Sequence, residues 1–146
     1  MEKAPFLPLT VRTKSETETE AVGRRMGEYL LSRGETEAFI ALYGDLGAGK
    51  TAFVRGLAAA VVPGAFVSSP TYTVVNEYRG GGRILRHLDL YRVGGEEDLY
   101  SVGFFDFSGG MTAAEWCEDF ALPERFYRVE IEVLEKEREI RAFFRG

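Results

Sequence analysis

The chain has 146 residues, 45% hydrophobic and 28% charged, the balance of an ordinary soluble globular protein with room for one proper core. A net charge of −5 and a pI near 5.0 speak against a general nucleic-acid or membrane-surface binder, which needs a basic face. With Cys117 the single cysteine, no internal disulfide can form; no apolar run reaches membrane-spanning length and no signal-peptide pattern opens the chain, so a cytoplasmic location is expected.

Residues 1 to 14 carry Pro5, Pro8 and the short run Leu7 to Val11, compatible with a tail or an edge strand. Ser15-Glu16-Thr17-Glu18 matches a helix capping box, with Ser15 as N-cap and Glu18 reaching back; Thr17 with Glu20 matches another two residues on. The helix that follows sets Val22, Met26, Tyr29 and Leu30 on one face, and Gly34 suits its end. Ala38 to Tyr43 is an apolar run of strand length.

The next stretch organises the rest. Gly44-Asp45-Leu46-Gly47-Ala48-Gly49-Lys50-Thr51 fits G-x-x-x-x-G-K-[ST], the Walker A phosphate-binding loop. From Thr51, Phe53, Leu57, Ala60 and Val61 recur at helical spacing, so strand, glycine loop and helix follow in the order the motif needs. Loop amides and the unpaired N–H groups of a helix N-terminus neutralise a triphosphate without side chains. Gly44, Gly47 and Gly49 permit the close approach; Lys50 adds a mobile cation and the Thr51 hydroxyl a ligand for Mg²⁺. The competing reading is a glycine-rich turn.

Pro63-Gly64 breaks the chain, and Ser68-Ser69-Pro70-Thr71 is a turn-prone hydroxyl cluster. Loops between a phosphate-loop helix and the next core strand often order around the γ-phosphate, so Thr71 is either such a sensor or only part of a turn. Tyr72 to Val75 reads as strand, Gly80-Gly81-Gly82 as a hairpin turn and Ile84 to Tyr91 as a second strand. Glu96 to Val102 suits a short helix, and Phe104, Phe105 and Phe107 suit the core. Gly109-Gly110 turns into the short strand Met111 to Ala114, which ends at Glu115-Trp116. Val129, Ile131 and Val133 alternate with Arg128, Glu130 and Glu132 as a half-exposed strand, onto which Ile140 to Phe144 can pair back. The expected fold is α/β: a P-loop NTPase-like single domain over residues 1–146, with a mixed β-sheet covered by helices, its parallel part carrying the loop.

Hydrolysis needs carboxylates as well as a loop. Asp89 closes an apolar strand, the Walker B arrangement; the competing role is a strand-end cap. Glu115 has the same placement and is either a metal or water ligand or a solvated strand end. His87 shares a strand face with Asp89 and reads as a packed or supporting histidine rather than a direct ligand. Trp116 reads as core.

Four blocks now line up: the loop Gly44 to Thr51, Ser69-Pro70-Thr71-Tyr72-Thr73-Val74-Val75-Asn76-Glu77-Tyr78, His87-Leu88-Asp89-Leu90-Tyr91-Arg92, and Glu115-Trp116. Together they closely resemble the bacterial TsaE family, also written YjeE, from about Ser15 to Arg141. The resemblance implies a weak ATPase that supports threonylcarbamoyl modification of the adenosine beside the anticodon of certain tRNAs. It further implies two partner proteins, TsaB and TsaD; the chain's own acidity leads to the expectation that it reaches tRNA only through them, and its composition to that of no membrane association. ATP and Mg²⁺ are the implied ligands. Lys50 and the amides of Asp45, Leu46, Gly47, Ala48, Gly49 and Thr51 match the phosphate site. Thr51 with Glu115 matches the Mg²⁺ site, and Asp89 the Walker B aspartate. Glu16 or its neighbour Ser15 falls where the family's N-terminal segment meets the nucleotide, and Arg138 where a C-terminal arginine does. Cys117 stands where the family often has proline, Met111 to Ala114 is less apolar than usual, and Gly80 to Gly82 shortens a connection.

Other classes remain to be weighed. An ATP-gated binding module, in which occupancy matters and turnover is incidental, shares every motif. A small-molecule kinase is disfavoured, because no arginine-rich lid segment or acceptor pocket is evident and Arg83 and Arg86 are too few.

Overall fold

The computed structural model describes residues 7–45, 47–65, 75–89, 109–115 and 122–146. Leu46, the Ser68 to Thr71 cluster, Tyr72 to Val74, Leu90 to Arg92, the helix expected at Glu96 to Val102, the three phenylalanines, Trp116 and Cys117 lie outside the described residues. Within them run β1 (Leu9–Thr13), α1 (Glu16–Ser32), β2 (Phe39–Tyr43), α2 (Lys50–Val61), β3 (Val75–Gly80), β4 (Arg83–Asp89), β5 (Met111–Glu115), β6 (Phe126–Val133) and β7 (Arg138–Arg145).

The strands form one 7-stranded sheet in the order β1-β7-β6-β2-β5-β4-β3. Its centre is parallel, with β2 against both β5 and β6, and β5 against β4. Both margins are antiparallel, with β1 on β7, β7 on β6 and β3 on β4. The fold is thus the mixed α/β arrangement expected. β1 is an edge strand rather than a tail, because β7 offers it a partner. The turn between β3 and β4 is two residues long. Gly81 at φ 59° and Gly82 at φ 75° supply the paired positive angles of a type I′ turn. β5 tolerates its weakly apolar Met111-Thr112-Ala113-Ala114 because it lies between β2 and β4, where all five of its residues are buried.

α1 starts and stops as its sequence directs. The Ser15 side chain accepts from the Glu18 amide at 3.1 Å, while Glu18 Oε1 takes the Lys14 amide at 2.8 Å, so the acid reaches one residue beyond the cap. Gly34, at φ 71°, ends it: its amide and that of Glu35 return to Leu31 and Leu30 carbonyls, a Schellman closure. Val22, Met26 and Leu30 are buried as expected, and Tyr29 is half-buried. The same face carries two glycines, Gly23 and Gly27, that the apolar reading passed over, both turned to α2. A Cβ on Gly23 would lie 2.0 Å from the Phe53 carbonyl oxygen, and one on Gly56 of α2 would lie 1.8 Å from that of Glu20. The two helices pack backbone to backbone, and their apolar residues join Ile40, Leu42, Leu85, Met111, Val129 and Ile140 of the sheet in one core.

One side chain departs from expectation. Val133 is 48% exposed, although Val129 and Ile131 on the same alternating face are buried. β2 pairs with β6 only as far as Glu130, so Val133 overhangs the layer that covers its neighbours.

Candidate phosphate site at the carboxyl edge of the sheet

Parallel strands deliver their carboxyl ends to one edge. Register sets Leu42 of β2 and Asp89 of β4 on either side of Glu115 of β5, so the loop leaving β2 and the two acids arrive at one level. The loop needs glycine for two separate reasons. Gly44, at φ 152°, has no room for a Cβ, which would sit 2.6 Å from the Ile131 carbonyl oxygen. Gly49, at φ 112°, is the left-handed N-cap of α2 and makes no side-chain cap bond. No acid stands in the first turn of α2. The positive end of that helix therefore faces the loop without compensation from its own side chains.

Lys50 is the first residue of α2 and is 5% exposed. Its Nζ donates to the Gly44 carbonyl at 2.6 Å and stands 3.9 Å from Glu115 Oε1. Glu115 is 6% exposed, so it is no solvated strand end. Its Oε2 meets Nε2 of His87, a ring buried beneath it with Nδ1 unpartnered among the described residues. Asp89 is half-buried beside Glu115. Thr51 follows Lys50 and is also half-buried.

The two loosely matched positions come to the same place. Arg138, the first residue of β7, donates through Nε to the Ala48 carbonyl at 3.1 Å and through Nη2 to that of Gly47 at 3.4 Å. Glu16 and Arg138 line a cavity of about 130 Å³ with Gly47, Ala48 and Gly49. Among its other walls, sequence reasoning missed Thr13, Thr19 and Lys136. The hydroxyls of Thr13 and Thr19 bond each other at 2.7 Å across the β1–α1 junction. Thr19 lies one turn past the Ser15 cap, so the capping box held the only signal for it. Asp45 belongs to the described loop, whereas Leu46 and Thr71 fall outside the described residues.

The oxygen donors suit Mg²⁺. Among the described residues no three His, Cys, Asp or Glu side chains cluster as a metal cage. Mg²⁺ dispenses with such a cage, taking one or two carboxylates and completing its shell with substrate phosphates and water. Thr51, Glu115 and Asp89 offer such a partial set.

A larger cavity, about 710 Å³, opens elsewhere, lined by Glu35, Arg86, Arg125, Tyr127 and Phe144 among others. It holds none of the phosphate-site residues. There burial, with a 2.6 Å bond to Glu35, pushes the Tyr127 phenol well above the usual tyrosine range. The Arg79 hydrogen bond holds Glu77 below the usual carboxylate range.

A core strand, a glycine loop and a helix N-terminus, set at the edge of a mixed sheet, define an α/β protein of the P-loop NTPase type. The profile of the family described as Threonylcarbamoyl adenosine biosynthesis protein TsaE matches residues 13–142, and the chain belongs to that family. A tRNA threonylcarbamoyladenosine biosynthesis protein TsaE of Haemophilus influenzae is 38% identical over 124 residues, 81% of this chain and 78% of that one. The protein of the same name from Synechocystis is 44% identical over 97 residues, which cover 63% of this chain and 62% of its own. The crystal structure of Bacillus subtilis YdiB superposes with a TM-score of 0.70 at 28% identity, covering 94% of this chain and 84% of that one. The family is thus one of tRNA threonylcarbamoyladenosine biosynthesis.

Proposed function

We propose that the chain is a Mg²⁺-dependent ATPase, slow by itself, whose cycle of ATP binding and hydrolysis supports threonylcarbamoyl transfer to tRNA by a TsaB–TsaD complex. One observation carries the reading. An uncapped helix N-terminus, the buried Lys50 ammonium and the buried Glu115 carboxylate converge where the glycine loop leaves β2. Buried opposite charges 3.9 Å apart are poor stabilisers, so their retention fits a polyphosphate and its cation better than packing.

In this reading the loop amides and Lys50 take the β- and γ-phosphate oxygens, and Lys50 gives up the Gly44 carbonyl to do so. Arg138 holds the Gly47 and Ala48 carbonyls, which fixes the peptide planes they share with the Ala48 and Gly49 amides; the Ala48 amide meets the Asp45 carbonyl at 3.0 Å, and the Gly49 amide is the one left to the phosphates in this reading. Thr51, Glu115 and Asp89 would hold Mg²⁺, which supplies charge neutralisation across the phosphates as the bond to the leaving oxygen breaks. Glu16 and the cavity beside the loop would take the nucleoside side. The net negative charge fits a protein that reaches tRNA only through its partners. No helix of the described residues is long and apolar enough to cross a membrane, and the cytoplasm is the location we propose.

The test is ATP turnover of the purified chain with and without the TsaB–TsaD complex. Slow hydrolysis that the complex accelerates supports the reading. Full activity without partners counts against coupling. Tight Mg²⁺-ATP binding with no turnover in either case would make the chain an ATP-gated binding module.

A further inference from the structure

We infer that His87 is a positioning residue for the metal side of this site, fixing one oxygen of Glu115 so that the other stays turned toward the loop. The inference rests on the phosphate-site reading above and deepens it.

The geometry begins with strand register. His87 of β4 stands opposite Ala113 of β5, and Asp89 opposite Glu115. His87 and Glu115 are therefore diagonal neighbours on one face of adjacent parallel strands, within reach of each other's long side chains. The small Ala113 leaves room for the imidazole. The ring is 0% exposed, and its Nε2 meets Glu115 Oε2. Its Nδ1 is buried with no hydrogen-bond partner among the described residues.

The ring edge that carries Nε2 is therefore the one turned to Glu115, and among the described residues that carboxylate is its hydrogen-bond partner. Glu115 is then held at both ends, by His87 on Oε2 and by the Lys50 ammonium 3.9 Å from Oε1. A glutamate has three side-chain torsions to lose when it ligates a cation. Holding Oε2 in advance lowers that loss. A leucine would fill this place without an unsatisfied nitrogen, so packing alone does not account for a histidine.

The experiment uses the full chain, ATP, MgCl₂ and three readouts: calorimetric titration of Mg²⁺ onto the ATP-loaded protein, ATP affinity in EDTA, and melting temperature. His87→Leu is expected to weaken Mg²⁺ binding by about 10- to 100-fold, the usual effect of losing a ligand's hydrogen-bond partner, with ATP affinity in EDTA held within about twofold. His87→Gln, whose amide nitrogen falls near the Nε2 position, is expected to recover most of the loss, and His87→Asn, which falls short of Glu115, is not. In a Glu115→Ala background His87→Leu should add nothing. Wild-type Mg²⁺ binding by His87→Leu, or equal losses with and without Mg²⁺, overturns the inference. Should the leucine variant fail to fold, the Gln and Asn variants decide: equal Mg²⁺ affinities overturn it. Absence of Mg²⁺-ATP binding by the unaltered chain would overturn the phosphate-site reading itself, an outcome distinct from wild-type-like behaviour of the His87 variants.

Discussion

α1 and α2 begin beside one shared cavity, and they begin in opposite ways. At α1 the chain satisfies itself: Ser15 caps the Glu18 amide, Glu18 takes the Lys14 amide, and Glu16 and Glu18 place negative charge in the first turn. At α2 the cap is Gly49, which makes no side-chain cap bond, and no acid stands in the first turn. Both helices carry the same kind of dipole, worth roughly half a positive charge at the N-terminus. One is neutralised by side chains of its own first turn, and the other has none there. The contrast teaches why the proposed phosphate site falls at the start of α2 and not at that of α1.

The sharpest way to break the contrast is Lys50→Met. It should reduce ATP affinity by at least about 100-fold, since the cation aimed at the phosphates is gone, with far-UV circular dichroism unchanged. Calorimetry checks it, and undiminished affinity would mean the bare helix end is only a glycine turn. Asp89→Ala and Glu115→Ala separate holding nucleotide from turning it over. Each should retain ATP binding and lose Mg²⁺-dependent hydrolysis by a factor on the order of 10². Normal turnover in Asp89→Ala would remove that residue from the metal site. Gly56→Ala tests what keeps the two helix starts together. Its Cβ would sit 1.8 Å from the Glu20 carbonyl oxygen, so the helices must part, at a cost of about 3 kcal/mol in denaturant unfolding.

Local chemistry was legible in the sequence, and distant pairing was not. The strand before Gly44, the loop and the helix after it are contiguous, so spacing alone revealed them. Gly80 to Gly82 announced the β3–β4 hairpin for the same reason. Whether Leu7 to Val11 was tail or strand depended on β7, whose Ala142 pairs with Leu9 from the far end of the chain. Nothing near Arg138 in sequence points to the carbonyls of Gly47 and Ala48, and only the fold of β7 beside the loop brings them together. Gly23 and Gly27 stand four apart on α1, a visible stripe, but a search for large apolar residues passes over the side chains whose absence lets two helices touch. The alternation in β6 was correct through Ile131 and failed at Val133, because periodicity shows which face a residue takes and not where the covering layer stops.

Ser15→Ala should have the smallest effect, and it tests the other half of the contrast. The hydroxyl accepts one amide at 3.1 Å at an exposed helix start, and losing such a cap costs about 1 kcal/mol. The loss should appear in full in the unfolding free energy. It should leave ATP affinity within about twofold, because the hydroxyl is already engaged as the acceptor of the Glu18 amide within its own helix start. Ser15 does line the cavity beside the loop, next to Glu16. A drop in ATP affinity larger than the drop in stability would therefore show that α1 contributes its own start to the nucleotide, and that the two helix ends are one site rather than a sealed end beside an open one.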